Sequence, residues 1–128
     1  MSTVSVPVSY GELLDKITIL EIKAERIEDA EKNANVRHEL TLLQGVWKQV
    51  PGGDQVADEH QALRQVNEQL WDIEDRIRLK EKAQAFDDEF VELARAVYVT
   101  NDQRAAVKKA LNLALGSELV EEKSYQPY

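Results

Sequence analysis

Several acidic pairs in this sequence have a spacing that could do chemistry, among them Glu12 with Asp15, Glu25 with Glu28, Asp72 with Asp75, and Glu89 with Glu92. Side chains three apart share a helix face, and two such pairs on facing helices would suit a hard divalent cation that bridges phosphates. Here the pairs do not follow one another in an order that supplies two matched sets. In a chain with 24 acidic side chains such spacings also arise by chance. A di-iron bundle needs Glu-x-x-His pairs, but His38 has Asn35 three positions before it and His60 has Ala57. No metal or cofactor is expected.

A second constellation is "NEQLWDIEDRIR", Asn67 to Arg78. At about 100° per residue, Leu63, Val66, Leu70, Ile73 and Ile77 form one apolar seam. Asn67 and Glu74 border that seam, Trp71 and Arg78 lie further round, and Glu68, Asp72 and Asp75 turn to water. Lys16 borders the seam of the first helix in the same way. A carboxylate at the edge of a core needs a donor, so Glu74 points to Lys16 or Arg78. With Arg104 these would make a mixed-charge pocket for a small anion, closed by Asn101 and Asp102 and, if the C-terminal tail folds back, by Lys123 and Tyr125. The competing reading is a polar network that fixes helix register.

The elements that must position these groups are helices. Gly (5) and Pro (3) are scarce and cysteine is absent, which favours long helices and removes disulfides and thiolate chemistry. The net charge of −8 and the lack of a dense basic run argue against nucleic acid. No basic leader with an apolar run and no stretch of eighteen apolar residues is present, so neither secretion nor membrane insertion is expected, and a cytoplasmic location is.

Ser9 with Glu12 reads as a capping box, with Val8 stapled onto Leu13. Leu13, Ile17, Leu20, Ala24 and Ile27 follow as a seam, and a second apolar line, Leu14, Thr18 and Ile22 with Ile19 opposite, makes this helix apolar on more than one side. It is expected to be central or to pack a partner, with Leu14, Thr18, Ile19 and Ile22 as the candidate homodimer interface. A fresh seam from Val36 to Val50 implies a kink or break near 28–35. The expected layout is an extended arm over 1–8, helix one over 9–50, "PGGD" as a break, helix three over 54–84 with Asp54 as cap, short helices over 87–99 and 101–115, and a tail over 117–128. Phe86 and Asp87 read as staple and cap, "TNDQ" as a break, and Gly116 as a stop. The fold class is all-α: a long antiparallel hairpin plus two shorter helices, a helical bundle with coiled-coil-like seams, in one domain.

The segments "GELLDKITILEIKAERI", "NEQLWDIEDRIR", "FVELARAVYVTNDQRAAVKKALN" and "EEKSY", in this order, resemble a family of small uncharacterised bacterial proteins of about this length. The resemblance implies a compact helical domain and carries no activity. It points to Asp15 and Lys16, to Asn67, Trp71, Glu74 and Asp75, to Asn101, Asp102 and Arg104, and to Glu122 through Tyr125. The preferred functional expectation is a non-catalytic helical interaction module that associates with itself or another protein. The alternative is a binder of a small anionic or phosphorylated metabolite, or a small all-α enzyme, using the mixed-charge pocket.

Overall fold

The computed structural model describes residues 2–128. Its helices are α1 (Tyr10–Arg26), α2 (Ala30–Trp47), α3 (Ala57–Ala83) and α4 (Asp88–Leu115), with a short 3₁₀ turn at Gly53–Gln55 and no strand among the described residues. The fold is an all-α bundle, as the seams imply. Its first helix lies at the centre and packs against all three others.

Helix α1 begins where Ser9 accepts a hydrogen bond from the Glu12 N–H at 3.1 Å. The Glu12 side chain does not close the capping box; it reaches across to Lys108 instead, at 2.7 Å. Beyond Arg26 the chain turns through Ile27 and restarts at Asp29, which caps α2 by accepting from the Lys32 N–H. Asn33 locks the corner, its amide donating to the carbonyls of Ala24 and Ile27. Two separate helices therefore stand where one kinked helix was an alternative.

Helix α2 lies back along α1 and buries none of its residues fully. Leu40, Leu43, Trp47 and Val50, the seam read from sequence, rest half-buried on the core of Leu13, Leu14, Ile17, Val56, Leu63 and Leu111. Asp54 sits inside the 3₁₀ turn and does not cap α3, whose first turn has no side-chain cap. At the next turn Asp87 does cap, accepting from the Phe90 N–H at 3.0 Å, and Phe86 packs edge-on against Phe90, not Val91.

The two short helices expected after residue 87 are one. Helix α4 runs 28 residues through "TNDQ" without a break. The seam Leu93, Val97, Thr100, Arg104, Val107, Leu111 keeps its spacing of four and three throughout, with Thr100 buried. Packing along that face outweighs the weak helix propensity of Thr, Asn and Asp, a few tenths of a kcal/mol each. At 27 and 28 residues, α3 and α4 outreach the 17-residue α1, by roughly 15 Å at 1.5 Å per residue. Gly116, at φ 66°, ends α4 in the left-handed conformation. The extended tail then folds back along α4, ending with Tyr128 against Tyr98 and Asp102.

Where α1 starts against the end of α4, the backbones approach closely. The Gly11 N–H donates to Asn112 Oδ1 at 2.6 Å, and a Cβ on Gly11 would lie 2.7 Å from the Lys108 carbonyl oxygen. A backbone atom in a helix cannot withdraw cheaply. Gly11→Ala should therefore cost about 1–3 kcal/mol in urea unfolding, as overpacked cores do. Gly45, in α2 with open space around its Cα, should tolerate alanine and gain about 0.5–1 kcal/mol from helix propensity. Equal effects of the two substitutions would refute the close approach.

Candidate functional site

The most buried charge in the chain is the Asp15 carboxylate, 1% exposed on α1. Its Oδ1 accepts from Asn67 Nδ2 and from Arg104 Nε, both at 2.9 Å, and its Oδ2 accepts from Arg104 Nη2. Thr18, one turn on, donates to the Asp15 carbonyl at 2.8 Å and accepts from the same Asn67 amide at 2.9 Å. Helices α1, α3 and α4 thus meet at one polar junction inside an apolar bundle. The two-pronged geometry is the strong form of an Arg–carboxylate pair, and the hydrogen bonds that it donates to Asp15 hold the Arg104 guanidinium above even its usual high range.

Directly outside this junction is an open groove of about 410 Å³ between the three helices. Ile19, Ile22 and Leu70 supply its apolar surface. Trp71, Glu74 and Asp75 line it from α3, and Asn101 and Arg104 from α4, with Asn67 at the inner end. Because Asn67 Nδ2 is committed to Asp15 and Thr18, its carboxamide oxygen is the group left for the groove. Arg104 uses one edge of its guanidinium on Asp15, which leaves the remaining N–H groups of five for other acceptors. The indole of Trp71 carries the Arg26 guanidinium 5.7 Å from its ring centre, and Arg26 also pairs with Asp72 at 2.7 Å.

Of the side chains singled out from sequence, Asn67, Trp71, Glu74, Asn101 and Arg104 come together in this groove. Lys16 does not; it is exposed, one residue round the helix from the buried Asp15. Arg78 points outward and pairs with Glu74 at 3.1 Å across an exposed turn. Asp102 lies on the far side of α4, where it accepts from the Tyr128 hydroxyl at 2.5 Å. Lys123 and Tyr125 stand beside it in a separate shallow depression, the ammonium 5.9 Å from the ring centre. The groove thus shares five residues with the pocket expected from sequence and lacks Lys16, Arg78, Asp102, Lys123 and Tyr125.

Leu14, Thr18 and Ile22 are at most 1% exposed, and Ile19 is half-buried in the groove. The second apolar line of α1 is thus spent on α3 and α4 of the same chain. The family resemblance points to Asp15, but the seams alone give it no place in the pocket, although a signal existed. At about 100° per residue Asp15 lies roughly 20° from Ile22 and 60° from Thr18, on the apolar line itself. Asp75, read as solvent-facing, is exposed and yet borders the groove.

The acidic pairs at Glu25 and Glu89 are taken up by bases. Arg64 holds Glu25 and, at 2.9 Å, Glu68, while Arg76 and Lys80 hold Glu89 at 3.2 Å. Behind the junction, Lys108 is buried between Glu12 at 2.7 Å and Glu121 of the tail at 2.9 Å. Lys109 adds a looser contact to Glu122 at 3.2 Å. Asn112, turned by its bond from Gly11, keeps a buried Nδ2 that has no partner among the described residues.

With this geometry in view, the chain can be set beside known families. A family of unknown function, DUF6165, matches residues 4–128. The chain belongs to that family. No curated protein and no solved structure matches it. Among the described residues no helix is long and apolar enough to cross a membrane.

The Lys108–Glu121 contact sets a pH range for the docked tail. Burial pushes the Lys108 ammonium down, but its two carboxylate partners more than offset this and its pKa lies above the usual 10.5. The hydrogen bond from Lys108 pulls Glu121 below the usual 4.5. A depressed carboxylate stabilises above its unfolded pKa and loses that contribution as pH falls through the folded value; a raised ammonium stabilises until pH climbs past its own folded value. The tail should stay docked at neutral pH and release in acid, below the ordinary glutamate range. A fluorophore on Ser124→Cys, the only thiol the protein would then have, should lose anisotropy along that acid limb while far-UV circular dichroism still shows helix. Glu121→Gln should lower the anisotropy at pH 7 already. Anisotropy that stays flat to pH 3 with the helices intact would contradict this.

Proposed function

We propose that the chain is a binding protein whose site is the groove between α1, α3 and α4. The observation that carries this reading is the buried Asp15, which fixes the Arg104 guanidinium at the groove's inner end. A buried ion pair contributes little net stability, because desolvation of both charges offsets their attraction. What such a pair does supply is orientation, and here it holds Arg104 at the groove wall with N–H groups that Asp15 does not use. A volume of about 410 Å³ lies within the roughly 300–1,000 Å³ of small-molecule sites. An apolar base, one indole and a few convergent amide and charged groups are the composition that such sites share.

Self-assembly is a second reading, favoured by one feature of the surface. Leu79, Phe86 and Val91 are all more than half exposed near the α3–α4 turn, the end that outreaches α1. A C2 contact there would leave the groove free. Sedimentation equilibrium at micromolar concentration should then show dimers that Leu79→Lys with Val91→Lys abolishes, and a monomer in both proteins would remove this reading.

The groove reading predicts a specific response to ligands. A panel of amines, amino acids, phosphorylated metabolites and neutral amides at millimolar concentration should contain a compound that raises the melting temperature by several degrees. Saturation a hundredfold above Kd is worth about 2.7 kcal/mol. The shift should vanish in Trp71→Ala with Asn101→Ala, both on the groove rim and outside the core. A shift that survives in this variant, or none with any compound, would count against the groove.

A further inference from the structure

The groove's charges are not balanced, and the imbalance bears on what binds there. Arg104 brings one positive charge, but Asp15 behind it brings a negative one at hydrogen-bond distance. Of the remaining lining groups, Glu74 and Asp75 are carboxylates and none is a base. Glu74 has only Arg78 for company, an i, i+4 pair whose guanidinium is 77% exposed, and such pairs are worth well under about 1 kcal/mol. Asp75 makes no ion pair among the described residues. A phosphate or carboxylate entering from this side would approach two anions and find one cation already matched.

An ammonium or guanidinium meets the opposite situation. It can replace Arg78 at Glu74 or take Asp75 directly, with its stem against Ile19, Ile22 and Leu70. Trp71 adds a ring surface attractive to cations, and the chain already places one guanidinium on that indole, Arg26, 5.7 Å from its centre. At the inner end Arg104 keeps N–H groups that Asp15 does not use, and the Asn101 amide, which donates as well as accepts, lies beside it, so a hydrogen-bond acceptor on the ligand finds donors there next to the Asn67 carboxamide oxygen.

Resting on the binding reading above, we infer that the groove takes a small organic cation: an ammonium or guanidinium at the Glu74–Asp75 end, an apolar stem, and an acceptor at the Arg104–Asn101 end. This departs from the anionic ligand expected from sequence, where Lys16 and Arg78 were counted as free bases. The first is outside the groove and the second faces solvent.

The test uses the full chain carrying Trp47→Phe, so that Trp71 is the only indole. Its fluorescence is titrated with arginine, agmatine and phenethylamine, with inorganic phosphate and glycerol 3-phosphate, and with neutral phenylacetamide. The expected result is saturation by at least one cation, arginine best because it carries the acceptor as well, weakening as salt rises. Glu74→Gln with Asp75→Asn, both on the surface and outside the core, should weaken that affinity at least tenfold. Saturation by a phosphate or the amide but by no cation, or a cation bound equally well by the double variant, would overturn the cation class and leave the groove standing. No saturable Trp71 response to any of the six probes would overturn both.

Discussion

A carboxylate held out of water must be met by charge and hydrogen bonds, and Asp15 is such a group. Its neighbours, Arg104 and Asn67, come from the two helices that flank α1. The requirement couples three elements at once: α1 must present Asp15 inward, α3 must bring Asn67 to the same point, and α4 must continue far enough without a break to deliver Arg104. The apolar core beside it, centred on Leu14, Ile17, Leu63 and Leu111, supplies the driving force for collapse. Nondirectional apolar contacts tolerate several registers, however, whereas a forked ion pair with a shared amide tolerates one.

Around this junction the ties become progressively weaker. The Lys108 cluster lies immediately behind it, at the close approach of Gly11 to the Lys108 carbonyl. Further out, α2 covers the core with half-buried side chains and buries none completely, and the tail is fastened by the Lys108–Glu121 contact, by the exposed Lys109–Glu122 pair and by the Tyr128 hydroxyl. The groove is lined by the three helices that share the junction, and neither α2 nor the tail contributes to its lining among the described residues.

Much of the fold was legible in the residues. The caps at Ser9 and Asp87, the seam of α2 and the stop at Gly116 all follow from local chemistry that tertiary packing left intact. The failures have a common cause. "TNDQ" reads as a break because Thr, Asn and Asp are cap residues, while Thr100 and Arg104 hide the continuing α4 seam by putting polar side chains where it wants apolar ones. Asp15 likewise interrupts the line that Thr18 and Ile22 define on α1, so the seams leave it out and only the family resemblance points to it. A helix seam that keeps its period but changes chemistry is the signature of a site built into a core. Lys16 and Arg78 were misassigned because period alone cannot say which flank of a seam a third helix will cover; that depends on where α4 docks, which no local pattern encodes.

The Asp15–Arg104 pair should therefore be energetically coupled and not merely adjacent. A double-mutant cycle with Asp15→Asn and Arg104→Met, followed by urea unfolding at neutral pH, measures this directly. Arg104→Met leaves the buried Asp15 carboxylate without its cation and should cost about 3 kcal/mol or more, Asp15→Asn removes the anion that the half-buried Arg104 meets, and the double variant leaves a neutral amide and no charge at the junction, so the coupling should be at least about 2 kcal/mol. Additivity within about 0.5 kcal/mol would show that the two residues act independently, and would contradict the junction as the constraint on which the bundle and its groove depend.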